Sequence, residues 1–226
     1  MACGCPKYYS AVTMARYASG AGRRLKNARP GDAPIWRANP LVADVFLALV
    51  HHPVVDRNGR IVTSAITSLD IHDLARSACT FGVRAFFIVH PVAEQRQFAA
   101  TVIDHWKFDF GRAFDGRRRE ALELVRIVPD LDDALTAAEH LAGARPLVAH
   151  TSARTQMGVT FAQLRERMRE PDSPPLLILL GTGFGLAPEV AQRSDLLVQS
   201  IRGVGDYNHL SVRAAGAIIL ERLRGS

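Results

Sequence analysis

The sequence predicts an α/β fold, a mostly parallel sheet with helices on both faces. Three observations carry that expectation. Short, continuous apolar runs such as Phe46–Val50 and Ala85–Val89 lack the polar alternation of a half-exposed strand, as strands buried on both faces do. Segments with helical spacing separate these runs, the grammar of βαβ units. Glycine-rich turns follow the later runs, where open parallel sheets place their ligands, beyond the carboxyl ends of the strands.

The elements follow in order. Phe46–Val50 reads as the first strand of this sheet and Ala85–Val89 as the second. Between them Ile71, Leu74, Ala75 and Ala78 fall at i, i+3, i+4 and i+7, behind Asp70 as the expected N-cap and ahead of Gly82 as the stop. Phe98, Val102, Ile103 and Trp106 stripe a second helix. A third is expected over Gly116–Leu124, with Arg117, Arg118 and Arg119 in its first turn, where cations oppose the helix dipole. Val125–Val128 forms a strand and Leu131, Ala134, Leu135, Ala138 and Leu141 the next helical stripe. Pro146–Ala149 is another strand, and Thr160 with Gln163 forms a capping-box pair for a helix carrying Phe161, Leu164 and Met168. Leu176–Leu180 and Leu196–Ile201 are the last two strands, and a final helix runs from about His209 to Leu223, opened by Asn208.

Composition bounds the function. The 226 residues are 48% hydrophobic and 22% charged, ordinary globular usage that excludes collagen, coiled coil and pervasive disorder. The longest uncharged stretch, Ser173–Pro188, is shorter than a bilayer span and interrupted by three prolines and three glycines, so no transmembrane helix is expected. Three cysteines, two of them at Cys3 and Cys5, make neither a disulfide framework nor a zinc-ribbon spacing; a reducing, cytoplasmic setting fits. His51 and His52 have no third ligand at suitable spacing, and no metal is expected.

The net charge of +6 is a property of one end. Lys7, Arg16, Arg23, Arg24, Lys26 and Arg29 all precede the first acid, Asp32, and the rest of the chain carries 22 cations against 22 anions. Nucleic-acid binding by the folded part therefore has to come from local patches. Residues 1–40 read as a basic, disordered tail with Pro6, Pro30 and Pro34 and little apolar periodicity, and residues 41–226 as the folded domain. A transit peptide, an over-extended start and a phosphate-binding arm share the tail's composition.

Two loops carry the chemistry. Gly181-Thr-Gly183-Phe-Gly185-Leu-Ala-Pro188 follows the Leu176–Leu180 strand, and its alternating glycines let main chain approach a flat or anionic ligand. The third glycine of a dinucleotide fingerprint would fall at Leu186, the position some twenty residues on is Ile201 rather than an acid, and no Gly-Lys-Ser/Thr sequence is present. Rossmann and P-loop readings both fail. The second loop is Ile201-Arg-Gly203-Val-Gly205-Asp-Tyr-Asn208-His-Leu210, which runs into the small residues Ala214, Ala215, Gly216 and Ala217.

This succession of strand, glycine-rich loop, short helix, strand and Gly/Asn/Leu turn into an Ala-rich helix resembles the C-terminal half of SPOUT-class (α/β-knot) methyltransferases. HHPV at 51–54, TSLDIHDLAR at 67–76, VHP at 89–91, TSAR at 151–154, LLGTGFGLAPEV and IRGVGDYNHLSVRAA are similar to the bacterial SAM-dependent RNA methyltransferase, or tRNA (guanine-N1)-methyltransferase C-terminal-domain-like, family, over about residues 45–224. The resemblance implies a C-terminal trefoil knot, S-adenosyl-L-methionine as cofactor, a tRNA or rRNA substrate and a homodimer. Carried over by position, it implies that Gly181 and Gly183 form the first cofactor loop, that Ile201, Gly203, Gly205 and Leu210 hold the adenine, and that Thr151 and Ser152 form the remaining wall.

Methyl transfer from a sulfonium needs alignment, a route for the nucleophile's proton and exclusion of water, and only the proton route demands a titratable side chain. Asp206, Asn208 and His209 lie beside the second loop as candidates. Arg76 stands at the Arg of the first SPOUT signature, but Asp70 stands where that signature has Asn. Arg57, Arg60, Arg117, Arg118 and Arg119, with Lys107, are candidate RNA-facing cations, since phosphate contacts orient a nucleic acid without reading its sequence. The alternative to an RNA methyltransferase is a knotted nucleotide- or RNA-binding protein without catalysis, which the Asn-to-Asp departure and the lack of an obvious base favour.

Overall fold

The computed structural model describes residues 43–108, 115–154 and 157–225. The expected tail and its cations at 7–29 lie outside the described residues. Six parallel strands form one sheet in the order β5-β4-β1-β7-β6-β8. These are β1 (Val45–Val50), β4 (Ala85–Val89), β5 (Val125–Val128), β6 (Leu147–Thr151), β7 (Leu176–Gly181) and β8 (Leu196–Val198). All six expected runs are strands. Two further short strands, β2 (Val54–Val55) and β3 (Ile61–Val62), pair antiparallel as a hairpin that the apolar pattern did not reveal, each being only two residues long.

The central strand β1 is wholly buried and pairs with β4 on one side and β7 on the other. Its alternate residues serve opposite faces. Val45, Leu47 and Leu49 join one core with Ile71, Leu74, Phe86, Ile88, Ile178 and Leu180; Phe46, Ala48 and Val50 join the other with Phe87, Leu177 and Leu179. Burial on both faces is why these strands read as unbroken apolar runs. The first face is covered by helices α1 (Ser68–Thr80), α2 (Ala93–Lys107), α3 (Gly116–Leu122), α5 (Phe161–Arg167) and α7 (Val212–Arg224); the second by α4 (Leu131–Ala142) and α6 (Pro188–Gln192).

Two helix starts differ from expectation, each because a hydroxyl lies nearer the end. Thr67, not Asp70, caps α1: its Oγ1 accepts from the Asp70 N–H, so the Asp70 carboxyl is released for another role. Ser211, not Asn208, caps α7 through the Ala214 N–H, so the helix begins three residues after His209. Asp115 caps α3 and accepts from the N–H groups of Arg117 and Arg118, an anion that offsets the unfavourable cations of that first turn. Strand β8 ends at Val198, three residues short of Ile201, because Gln199 turns away to pair its N–H with Val159.

The chain steps outward from β1 to β4 and β5, then returns to build β6, β7 and β8 on the other side. The sheet therefore reverses its order between β1 and β7, and the crevice beyond the carboxyl ends at such a reversal is the expected ligand position.

Candidate functional site

A cavity of about 740 Å³ opens at those strand ends. Its walls are Thr151–Arg154 after β6, Leu180–Gly185 at the end of β7, Gln199–Ile201 after β8, and a return through Asp206, Asn208–Arg213 and Ala215, with Ala65 and Asp70 closing the side nearest α1. Three segments far apart in sequence meet because their strands are neighbours in the sheet.

Glycine is required twice in the β7 loop. A Cβ on Gly181 would lie 2.7 Å from the Leu186 N–H nitrogen, and Gly183 adopts φ +60° with the Val55 carbonyl 3.2 Å from its added Cβ. The loop is so tightly wound because the β2–β3 hairpin holds it from below: Phe184 N–H donates to Val55 O, and Val55 N–H to Gly185 O. Between the glycines, Thr182 Oγ1 donates to Val50 O at 3.4 Å and shares a 2.5 Å hydrogen bond with Ser64 Oγ. Ser64 Oγ in turn meets Nδ1 of the fully buried His51 at 2.9 Å. His90 completes the bracket: its Nδ1 accepts from the Val92 N–H, which leaves Nε2–H to donate to Ser64 O. With Thr182 donating to Val50, the donors run from His51 Nδ1–H to Ser64 to Thr182, and His51 Nε2 is left as a buried acceptor without a partner among the described residues. Burial, and secondly the neighbouring His90, push the His51 imidazole down to about 4 against the opposing pull of Asp70, so it is neutral at physiological pH. It anchors the loop and is a poor base.

Most of the expected site residues come together. Thr151, Ser152, Gly181, Gly183, Ile201 and Leu210 line the cavity, as do Asp206, Asn208 and His209. Asn208 is already committed, its Nδ2 donating to Ala153 O at 2.9 Å and so tying the last loop to the β6 wall. Gly203 and Gly205 are exposed and absent from the wall: the chain bulges into solvent between Ile201 and Asp206. Arg76 is likewise exposed and outside it. The cationic place is taken instead by Arg213 of α7, whose Nη1 reaches Asp70 Oδ1 at 2.8 Å. Sequence reasoning missed Arg213, and also Arg154, whose guanidinium lies 5.9 Å from the half-exposed ring of Phe184. The strand-end rule and the TSAR and SVRAA motifs pointed to these stretches without singling out either arginine.

None of the candidate RNA-facing cations lines the cavity. Arg60 pairs with Asp56 at 2.8 Å, Arg118 sits 4.4 Å over the Trp106 ring, and Arg119 reaches toward Glu123. Arg57 and Arg117 are exposed, while burial lowers the Lys107 ammonium below the usual lysine range.

Main-chain groups are well placed to receive a ligand. No hydrogen bond among the described residues uses the N–H of Gly183, Ile201 or Leu210, all three on the cavity wall. An adenosyl group, whose edge offers donors and acceptors together, fits such a wall. Among the described residues no cluster of three or more His, Cys, Asp or Glu is placed to hold a metal ion.

Residues 44–225 match the family described as SAM-dependent RNA methyltransferase. The chain belongs to that family. Over 182 residues it is 41% identical to a tRNA (guanine-N(1)-)-methyltransferase of Oleidesulfovibrio alaskensis, a match covering 80% of this chain and 42% of the relative. Over 181 residues it is 39% identical to an uncharacterized protein of Aquifex aeolicus, covering 80% of this chain and 88% of that one. The chain thus spans less than half of the methyltransferase relative. Among solved structures, the fold resembles a probable methyltransferase from Bordetella pertussis, with a TM-score of 0.53 at 15% identity over 80% of this chain and 93% of that one. It also resembles the SpoU methyltransferase AviRb from Streptomyces viridochromogenes in complex with AdoMet, with a TM-score of 0.50 at 15% identity over 84% and 61%. The α/β fold of this SAM-dependent RNA methyltransferase family member is thus similar to that of these two structures, and its cavity lies within the segment that matches the family. Among the described residues no helix is long and apolar enough to cross a membrane.

Proposed function

We propose that this chain methylates RNA, using S-adenosyl-L-methionine bound in the cavity at the ends of β6, β7 and β8. The observation that carries the reading is the wall itself: glycine-rich, lined with uncommitted main-chain N–H groups, and assembled from the three loops that a bent nucleoside would bridge. Gly181 and Gly183 allow close approach on one side; Thr151 and Ser152 on the second and Ile201 with Leu210 on the third would hold the adenosyl group. When bound, the cofactor supplies a methyl group on a positively charged sulfur. The protein's part is positioning and desolvation, with Asp206 and His209 at the mouth as candidates to relay the acceptor's proton and Asn208 as the strut between two walls.

The tRNA (guanine-N(1)-)-methyltransferase relative makes a tRNA guanine the first substrate to try. Homodimerisation, a knotted path for the loops around residues 181–185 and 199–211, and a cytoplasmic site of action belong to the same proposal. Arg57 and Arg117, exposed and without an ion pair among the described residues, are the best placed of the candidate cations to meet RNA phosphates, with Arg60, Arg118 and Arg119 able to exchange partners.

Calorimetric titration with S-adenosylmethionine and S-adenosylhomocysteine tests the cavity, and transfer of labelled methyl into total RNA tests the chemistry. Micromolar binding with label in tRNA or rRNA is expected. Absence of heat with either ligand at high protein concentration overturns the reading; cofactor binding by a folded protein that labels no RNA would favour a non-catalytic binder.

A further inference from the structure

Asp70 is the charged group most deeply set in the cavity wall, 6% exposed, and nothing described above uses it. Its carboxylate is gripped from two sides. Thr67 Oγ1 donates to Oδ2 at 2.7 Å and Arg213 Nη1 to Oδ1 at 2.8 Å, while Arg213 Nε also lies 3.4 Å from Asp73. Each carboxylate oxygen has room for about two hydrogen bonds, so each retains one acceptor site. Buried ion pairs add little to stability compared with apolar packing, and a pair kept at a cavity wall calls for another reason. By contrast Asp206 and Arg154, the other charged residues of the wall besides Arg213, are exposed.

A fixed carboxylate with two parallel acceptors selects among bases by simple complementarity. Guanine alone presents two adjacent donors, N1–H and the N2 amino group, on its Watson–Crick edge. Adenine and cytosine set an acceptor beside their single amino group, and uracil flanks its N3–H with two carbonyls. Unpaired bases are read on that edge. The charge also disfavours adenine, so the cofactor's own adenosyl group is directed to the uncharged loops instead.

We infer that Asp70, held by Arg213 and Thr67, is the residue that reads the methyl acceptor as a guanine. The inference rests on the methyltransferase reading and adds to its guanine substrate the side chain that would choose that base. Asp70→Asn keeps the shape but turns one acceptor into a donor that faces guanine's N–H groups.

The test is titration of the full-length protein, saturated with S-adenosylhomocysteine, with GMP, IMP, 1-methyl-GMP and AMP. GMP is expected to bind at least about tenfold more tightly than IMP, which lacks the N2 donor, and more tightly still than AMP or 1-methyl-GMP. Asp70→Asn is expected to bind S-adenosylhomocysteine as the parent does and to lose the GMP preference. Equal binding of GMP and AMP by the parent, no detectable GMP binding, or a preference that survives Asp70→Asn overturns the inference while leaving cofactor binding intact. Failure of S-adenosylhomocysteine to bind the parent removes the methyltransferase reading and this inference together. Should Asp70→Asn not fold, the nucleotide series on the parent decides alone.

Discussion

His51 is a single side chain whose protonation is coupled to the whole loop above it. Its imidazole is held near 4 in the folded state, against 6.5 for the free group. Between those values the unfolded chain binds a proton that the native protein refuses. Stability from this group is therefore complete above about pH 6.5 and is lost as pH falls toward 4, by at most about 3 kcal/mol. His90, also depressed by burial, acts in the same direction, and Asp70 opposes. Urea midpoints at pH 7 and pH 5 should show the decline, and His51→Asn, which keeps a donor toward Ser64, should flatten it; an unchanged difference in that variant would assign the effect elsewhere. Gly181 makes a second prediction at this scale. Because its Cβ would meet backbone rather than a movable side-chain tip, Gly181→Ala must displace the loop, and a strain of about 1–3 kcal/mol corresponds to a loss of S-adenosylhomocysteine affinity of about fivefold or more. Titration calorimetry reads it directly.

Among elements, α7 depends on one close contact. Gly216 faces Leu74 of α1 and Leu180 of β7, and an added Cβ would stand 2.5 Å and 3.1 Å from their methyl groups. Alanine gains about 1 kcal/mol of helix propensity over glycine, which offsets part of the overpacking, so valine is the cleaner probe. Gly216→Val should cost about 1–3 kcal/mol, a melting-temperature drop of roughly 2–12 °C for a chain of this size, by thermal unfolding followed with circular dichroism. An unchanged melting temperature would mean that the helix can slide. Elements were also the level at which the sequence was most readable. Strand runs such as Phe46–Val50 are marked by burial on both faces, and Ile71, Leu74, Ala75 and Ala78 by helical spacing, signals that survive without tertiary knowledge. Helix starts were misread wherever two capping residues competed, as with Thr67 against Asp70 and Ser211 against Asn208, since propensity ranks them alike and only the local path decides. The site was half readable. Strand ends located its loops, but the Asp70–Arg213 pair spans 143 residues, and no pattern along the chain signals such a meeting.

For the whole molecule, charge separates two jobs. Residues 1–40 hold seven Lys and Arg against one acid, so the remaining 186 residues carry 21 of each and no net charge. Among the described residues, every one that lines the cavity lies at Ala65 or beyond. A chain lacking residues 1–40 should then bind S-adenosylhomocysteine within about twofold of the full-length protein, a change below about 0.5 kcal/mol. Its affinity for RNA should behave differently. Cations at phosphates release counterions, so the slope of log K against log salt should fall by about 0.7–0.9 for every tail contact removed. Filter binding of total tRNA between 50 and 200 mM salt, the range in which such losses are large, measures both slopes. An unchanged slope would place the RNA contacts on the folded face that bears Arg57 and Arg117, and a large loss of cofactor affinity would mean that the first forty residues belong to the fold.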